Sequence, residues 1–527
     1  MATNEIANAK ANATRKTADP KNKSESHPVP AQNFFERLVH LIDFRNKDNP
    51  FLKNYGRFFI FGIVAGSAFA PLYFVPLFFI SFGILFKEIA ETDDKRSLLR
   101  KSFCFGFAFY FFSWRWIVEP LSFGGSRYVF LKFLALLLIP LYFAAQFVFA
   151  IWGIKKIDNF VSRKLQIQND ENSKNLTALL IAFPAALTAL TYFFGAIFPK
   201  IPWVLPCYIC SVHEVFLQTL PFFGVYGLSF VILFLSALLG VAFLQKELRE
   251  KIKYCAIFTS MSGAIVLFGI FRLAQHPTKF SDCSIRLVQC NISQEDKNNT
   301  QKADENLQKY VEQSLHKNKL DLIIWPEAAL PYLYREDSRY LRNILTMPLQ
   351  GDEFLITGTV RKNLKNQKIY NSIIVINSSG ENIATYDKSR LVPFGEYVPC
   401  RKFLSFFSAL ASDVGDFDVG STPKIQRIKG VNVLFSICYE AIFPIDSADA
   451  KKADVIINLT NDGWFAGSDV EPHQHLAIVR ARAVEFEIPI VRITNVGISA
   501  IFDPYGRIIA EIPFQQSGYR DIMLPKK

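Results

Sequence analysis

The sequence predicts a polytopic α-helical membrane domain followed by an α/β layered domain. Three observations carry this. Half of the 527 residues are apolar and 52 are Phe, more than a soluble core would use. The long apolar runs are confined to residues 57–273, each near the roughly 20 residues that cross a bilayer. From Ser284 to about Met523 short apolar strands alternate with helical stretches, the pattern of a layered α/β domain.

Residues 1–53 are polar and rich in Lys, Asn and Ala, with no apolar core in the first thirty, so they read as a disordered basic cytoplasmic tail and not a signal peptide. Phe34 to Phe44 can form a short amphipathic helix on the membrane surface. Residues 54–275 hold seven expected spans, at 57–70, 72–86, 103–121, 128–153, 176–197, 222–244 and 254–273. Pro71 splits the first long run into a hairpin. Loops 87–101, 155–175 and 245–253 carry five, five and four Lys or Arg, which places them with the basic tail in the cytoplasm. Seven crossings then put everything after Ala274 outside. The net charge of +12 is spread over tail and loops, which argues against nucleic acid as a partner. The spans carry almost no charge at mid-membrane, Glu119 being nearest to an exception, which weakens a transporter reading.

Pro199 to Pro221 is apolar but broken by Pro202, Pro206 and His213, so an interfacial or re-entrant segment is expected there. Its Cys207 and Cys210 form a CxxC without the surroundings of a redox site. The eight cysteines show no framework of spacings, although an external location permits disulfides, Cys283 with Cys290 among them.

Residues 280–527 form the second domain. In VNVLFSICYEAIFP, Val431 to Pro444, an apolar strand delivers Cys438 to a turn before Tyr439 and Glu440. A lone cysteine at a strand end is most often a small core residue. Two further strands end in the same way, LDLIIWPEAALP at Glu327 and IATYDKSRLVPFGEYVP at Lys388 and Glu396. A thiol needs a base, which Glu supplies, and a fixed ammonium favours thiolate and stabilises an oxyanion.

The motifs WPEAALP, YDKSRLVPFGEYVP, ICYEAIFP and NDGWFAG, in that order behind membrane spans, resemble those of the bacterial apolipoprotein N-acyltransferases, membrane-embedded members of the nitrilase superfamily. The resemblance runs from about Arg57 to Ile522. It implies an α-β-β-α nitrilase-like sandwich, a catalytic triad on Glu327, Lys388 and Cys438, and supporting roles for Glu396, Tyr439 and Glu440. The implied reaction moves a fatty acyl chain from a membrane phospholipid, through a Cys thioester, to the α-amino group of the diacylglyceryl-cysteine that begins an apolipoprotein. No cofactor or metal is required. The implied setting is the cell inner membrane, with the second domain on the periplasmic side and the chain acting as a monomer. Two departures stand out: the family often carries a tryptophan that would lie near Asn298 and is missing here, and usually a final span after the catalytic domain.

Two segments extend the site. Trp464, in Asn461 to Phe465 behind the strand VIINL, is expected in the pocket wall. Arg401 to Leu410, RKFLSFFSAL, pairs two cations with an aromatic face and reads as an interfacial lid, in which Phe403, Phe406 and Phe407 would meet acyl chains. His473 and His475 form an HxH with no third ligand at a sensible spacing, so helix packing or capping is expected. The competing enzyme reading is a membrane-tethered amidase whose thioester is released by water, and the competing non-enzyme reading is an outer domain that only binds.

Overall fold

The computed structural model describes residues 52–164, 176–197, 199–335, 337–363, 366–399 and 416–527. The expected tail and its amphipathic helix, and the expected lid with Phe403, Phe406 and Phe407, lie outside the described residues. Residues 55–527 form one compact unit.

Seven helices come first: α1 Arg57–Gly66, α2 Val75–Glu91, α3 Lys95–Ser113, α4 Val129–Lys164, α5 Leu176–Ala196, α6 Leu220–Leu244 and α7 Leu248–Gln275. Among the described residues, four stretches are long and apolar enough to cross a bilayer, namely Val129–Ile157 within α4, and α5, α6 and α7. The chain is therefore a multi-pass membrane protein. The break at Pro71 is present, but the expected 57–70 span ends early. At ten residues α1 rises about 15 Å, half of a hydrocarbon core of roughly 30 Å. Helix α3 starts at Lys95, eight residues before the expected span, because the Asp94 carboxylate caps it by accepting from the Arg96 N–H at 3.0 Å. It stops at Ser113, where a 3-10 stretch, Arg115–Tyr128, replaces the expected helical end.

Thirteen strands build two sheets from β1 Phe280–Gln289, β2 Leu322–Ile324, β3 Leu333–Tyr334, β4 Phe354–Lys362, β5 Ile369–Asn377, β6 Asn382–Asp387, β7 Ile425–Ile428, β8 Val431–Ile437, β9 Val455–Thr460, β10 Ile490–Thr494, β11 Ser499–Phe502, β12 Ile508–Ile512 and β13 Gly518–Pro525. The orders are β13-β1-β2-β4-β5-β6, with β3 beside β4, and β12-β11-β10-β9-β8-β7. Strands β1, β2 and β4 run parallel, as do β8, β9 and β10. Alternate residues such as Ile285, Ile324, Ile373, Phe435, Ile457 and Val491 meet in one buried layer between the sheets. Helices α8 Gln294–Asn298, α9 Ala303–Ser314 and α10 Arg339–Thr346 belong to the first half; α11 Ser447–Lys452 and α12 Val470–Phe486 belong to the second. Leu307, Tyr310, Leu341 and Leu345 cover the first sheet, and Ala450, Val479 and Ala483 the second. This is an α-β-β-α sandwich.

Cys283 and Cys290 are both free and buried. Cys283 lies on β1 and Cys290 just past its end, in different buried layers and seven residues apart along an extended chain, roughly 23 Å at about 3.3 Å per residue, so they do not pair.

Helix α12 joins the sandwich to the helical part. Its Gln474 Oε1 accepts from the indole N–H groups of Trp116 (3.0 Å) and Trp203 (2.8 Å). The Ser211 hydroxyl donates to the Ala477 carbonyl at 3.0 Å, and Arg480 pairs with Glu214. The segment expected at the membrane interface, 199–221, forms 3-10 turns at Pro206–Val212 and Glu214–Leu217 and is largely buried against α12 and α6. Helix α6 breaks at Gly224, whose φ of +62° suits glycine, and the released Val225 N–H donates to Glu485 Oε1 at 3.0 Å. A carboxylate of the sandwich thus caps a membrane helix.

Gln474→Ala strips two buried indole N–H groups of their acceptor, at a cost of about 1–3 kcal/mol for each unsatisfied group. The detergent-solubilised variant is expected to melt several degrees below the wild type. An unchanged melting temperature would mean that α12 is held by apolar packing alone.

Candidate active site

Three strand ends carry the ionisable groups that the sequence singled out. After β2 the chain turns at Pro326, whose carbonyl accepts from the Gly358 N–H at 3.1 Å, while Trp325 N–H donates to Ile356 of β4 at 2.9 Å. A Cβ at Gly358 would lie 2.5 Å from the Glu327 Cα, so only glycine lets this turn close on β4. The turn leaves Ala328 at φ +49° and the Glu327 side chain buried.

After β6 comes Lys388. Asp387 fixes the strand end by accepting from Arg361 (2.7 Å) and from the Ser372 hydroxyl (2.6 Å). The Lys388 side chain is 1% exposed and donates to Glu396 Oε1 at 2.9 Å and Glu327 Oε1 at 3.4 Å. Glu396 rides on a tight turn in which its own Oε2 accepts from the Val392 N–H at 2.8 Å. Burial by itself would lower the Lys388 pKa, but Glu327, Glu396 and Cys438 outweigh it and raise it well above the usual lysine value, so the ammonium is permanent.

After β8 comes Cys438 at φ +47°, a strained position for a residue with a Cβ and the mark of a strand-to-turn elbow. The thiol is half-buried. Desolvation, with a further push from Glu327, lifts its pKa well above the usual thiol value, and Lys388 pulls the other way. It therefore rests protonated, and a base must act at the moment of attack.

Glu440 braces the elbow. Its carboxylate accepts from the Ile437 N–H (2.8 Å), the Ser389 N–H (2.8 Å), the Ser389 hydroxyl (2.7 Å) and the Tyr386 hydroxyl (2.8 Å), tying the end of β8 to the segment behind Lys388. Tyr439 turns toward the helical part, where its hydroxyl donates to the Lys200 carbonyl at 2.8 Å. Trp464 meets Phe123 edge-on, with ring centroids 5.6 Å apart, at the junction of the two parts.

Sequence reasoning passed over three features. Asn371 of β5 donates to Glu327 Oε1 (2.7 Å) and to Glu396 Oε1 (2.8 Å). A polar residue in the inward row Asn371, Ile373, Val375 was the available signal. The Lys297 ammonium donates to the Glu327 carbonyl (3.2 Å), and the neighbouring Asn298 accepts from Gln294 (3.0 Å). Lys297 is lowered to about 8 by desolvation against the opposing pull of Glu327.

The third feature concerns the histidines. His473 bonds its own helix at the Asp469 carbonyl (2.7 Å), as a cap would. His475 is buried with Glu471 (3.3 Å) and Asp462 (3.7 Å), so a group of three ligand-type side chains exists, although not in the HxH spacing. The Arg492 guanidinium fills the same space, 2.7 Å from Asp462 and 3.4 Å from His475 Nδ1, and supplies the positive charge that a cation would bring.

A half-buried thiol at a strained strand end, under the influence of a buried lysine held by two glutamates, on a two-sheet sandwich joined to membrane helices, defines a nitrilase-type domain of a membrane protein. A family model described as carbon-nitrogen hydrolase matches residues 284–524, and one described as apolipoprotein N-acyltransferase N-terminal domain matches residues 61–238. The apolipoprotein N-acyltransferase of Rickettsia typhi is 31% identical over 476 residues, 89% of this chain and 91% of that protein. That of Bradyrhizobium diazoefficiens is 33% identical over 372 residues, 67% and 69% of the two chains. The chain belongs to the apolipoprotein N-acyltransferase family, and so is an acyltransferase of lipoprotein biosynthesis. Among solved structures, a Saccharomyces cerevisiae member of branch 10 of the nitrilase superfamily is similar at 20% identity, covering 46% of this chain and 90% of that one, with a TM-score of 0.34.

Glu471 supplies a pH test. Burial, reinforced by Asp462, raises its carboxyl from 4.5 to about 7, so the folded state holds a proton that the unfolded chain gives up. The stability this contributes is complete below pH 4.5 and is lost as pH rises through 7. Glu471→Gln is expected to flatten the fall in melting temperature between those limits. A variant that melts in parallel with the wild type at every pH would show that Glu471 does not titrate there.

Proposed function

We propose that the chain moves a fatty acyl group from a membrane phospholipid to the N-terminal diacylglyceryl-cysteine of apolipoproteins through a thioester on Cys438. The observation that carries this reading is the buried Lys388 side chain, bonded to both Glu327 and Glu396, with Cys438 at a strained strand end of the facing sheet. Glu327 takes the thiol proton as sulfur attacks the ester carbonyl. The oxyanion is held by Lys388 and the peptide N–H of Tyr439. The C–O bond breaks, and the lysophospholipid leaves with the proton from Glu327. The α-amino group of the lipid-modified cysteine then attacks the thioester. Glu327 takes the amine proton and returns it to sulfur as the amide forms and the C–S bond breaks. Ester to thioester to amide runs downhill at its second step, so neither nucleotide nor metal enters the scheme.

Glu396 orients Lys388, since both its carboxylate oxygens are already engaged. Trp464 and Phe123 wall the acyl path at the junction. Residues 1–53 form a cytoplasmic tail, 54–275 the membrane domain with about seven crossings, and 280–527 the catalytic domain on the periplasmic face of the inner membrane. The basic loops support that orientation. The enzyme works as a monomer.

Purified protein incubated with phospholipid alone is expected to gain the mass of one acyl group, and Cys438→Ala none. Rapid release of free fatty acid without an adduct would overturn transfer in favour of hydrolysis by water. An adduct on Cys438→Ala would remove the thioester from the scheme.

A further inference from the structure

The four carboxylate oxygens of Glu327 and Glu396 are not equivalent. Glu396 Oε1 accepts from Lys388 (2.9 Å) and Asn371 (2.8 Å), and its Oε2 accepts from Val392 N–H (2.8 Å). Glu327 Oε1 accepts from the same two side chains, Asn371 at 2.7 Å and Lys388 at 3.4 Å. Two donors and two acceptors therefore form a closed four-membered ring of side chains, and among the described residues Glu327 Oε2 is the carboxylate oxygen given no donor. The Asn371 amide is buried, with its Nδ2 toward the carboxylates. The reverse orientation would aim its own oxygen at two negative charges, so the ring admits one orientation. Its Oδ1 is left without a partner, a desolvation cost that the two hydrogen bonds to charged acceptors must exceed. Asn371 is also tied to the lysine through the backbone, its carbonyl accepting the Lys388 N–H at 2.9 Å.

The geometry points to Asn371 as a positioning residue that selects Glu327 Oε2 as the oxygen to which the Cys438 proton moves. With one ammonium between two carboxylates the ring carries a net charge of −1 when both are ionised. A proton arriving at Oε2 brings the ring to zero while Lys388 keeps Glu396 as its counter-ion. Asn371 holds Glu327 Oε1 in the ring, so the carboxylate presents its other oxygen and cannot rotate to close on Lys388. Glu396 is thereby excluded as the base. The inference rests on the thioester reading above, but its effect on the thiol is separable from lipid chemistry.

The test is the pH dependence of Cys438 reactivity in the full-length, detergent-solubilised protein. Two readouts serve: acyl-adduct formation from phospholipid, followed by intact mass, and alkylation of Cys438 by iodoacetamide. Asn371→Ala is expected to slow adduct formation about 100-fold, the scale of a misplaced reacting group. It should also move the acid limb of both profiles to higher pH, because the carboxylates lose donors that favour their charged form. Asn371→Asp, close in shape, adds a negative charge and should move the limb further. Asn371→Ser, which keeps one donor, should fall between wild type and Asn371→Ala. A uniform loss of rate with every limb unmoved would overturn the inference and leave Asn371 a packing residue. If Asn371→Ala does not fold, the Asp and Ser variants decide by the same criterion. If the wild type alkylates normally but forms no adduct, the acyl-transfer reading fails while the alkylation profiles still judge Asn371.

Discussion

A lysine ammonium with 1% exposure is the constraint on which the rest of the site depends. An ion of that size taken out of water costs several kcal/mol even after the protein relaxes, and it persists only where opposite charge and hydrogen bonds replace the lost hydration. Glu327, Glu396 and Asn371 are that replacement, and the surrounding backbone exists to hold them. Gly420 shows how tightly: its N–H donates to the Lys388 carbonyl at 2.8 Å, and a Cβ there would sit 2.2 Å from the Asp387 oxygen. The same low-dielectric surroundings that make the lysine costly make its field on a developing oxyanion strong. They also keep the Cys438 thiol protonated at rest.

The sandwich brings this about by geometry rather than by any long insertion. Glu327 and Lys388 leave the ends of β2 and β6 in one sheet, and Cys438 leaves the end of β8 in the other, where both charged groups act on its thiol. Two of the three exits carry a left-handed residue, Ala328 just after Glu327 and Cys438 itself. Such backbone strain survives because β4 packs against the first turn and Glu440 gathers donors from both sides of the second.

Much of this was legible in the sequence. The apolar strands ending at Glu327, Lys388 and Cys438 announce themselves because a buried strand is a continuous apolar run and its first polar residue marks the exit. The membrane helices were visible for the same reason, and their errors have physical causes. Composition alone cannot see that the chain after Gly66 turns instead of continuing, or that Asp94 caps a helix eight residues early. Asn371 and the Asp462, Glu471, His475 and Arg492 group were missed for a different reason. Their members come from separate elements, and no spacing along the chain encodes a meeting in three dimensions. His475 in particular was read beside His473, whereas a helix turns neighbours two apart to different sides and pairs His475 with Glu471, four residues back.

The helical part is bound to the reaction centre and is more than an anchor for it. Tyr439, next to Cys438, donates to the Lys200 carbonyl, and Arg482 of α12 donates to the Ile442 carbonyl (2.6 Å) at the far end of the Cys438 turn and to the Tyr208 hydroxyl (3.3 Å) of the helical part. Both ends of the turn that carries Cys438 are thus fixed to the 199–221 segment. Glu485, one helical turn beyond Arg482, pairs with that arginine and caps the broken α6. A free nitrilase-like sandwich would have to hold the same turn without these partners. Removing the membrane segment would therefore cost more than lipid proximity, because it would release the carbonyls and hydroxyl against which Tyr439 and Arg482 are braced. In this chain the membrane-domain helices and the strained Cys438 are parts of one hydrogen-bonded assembly.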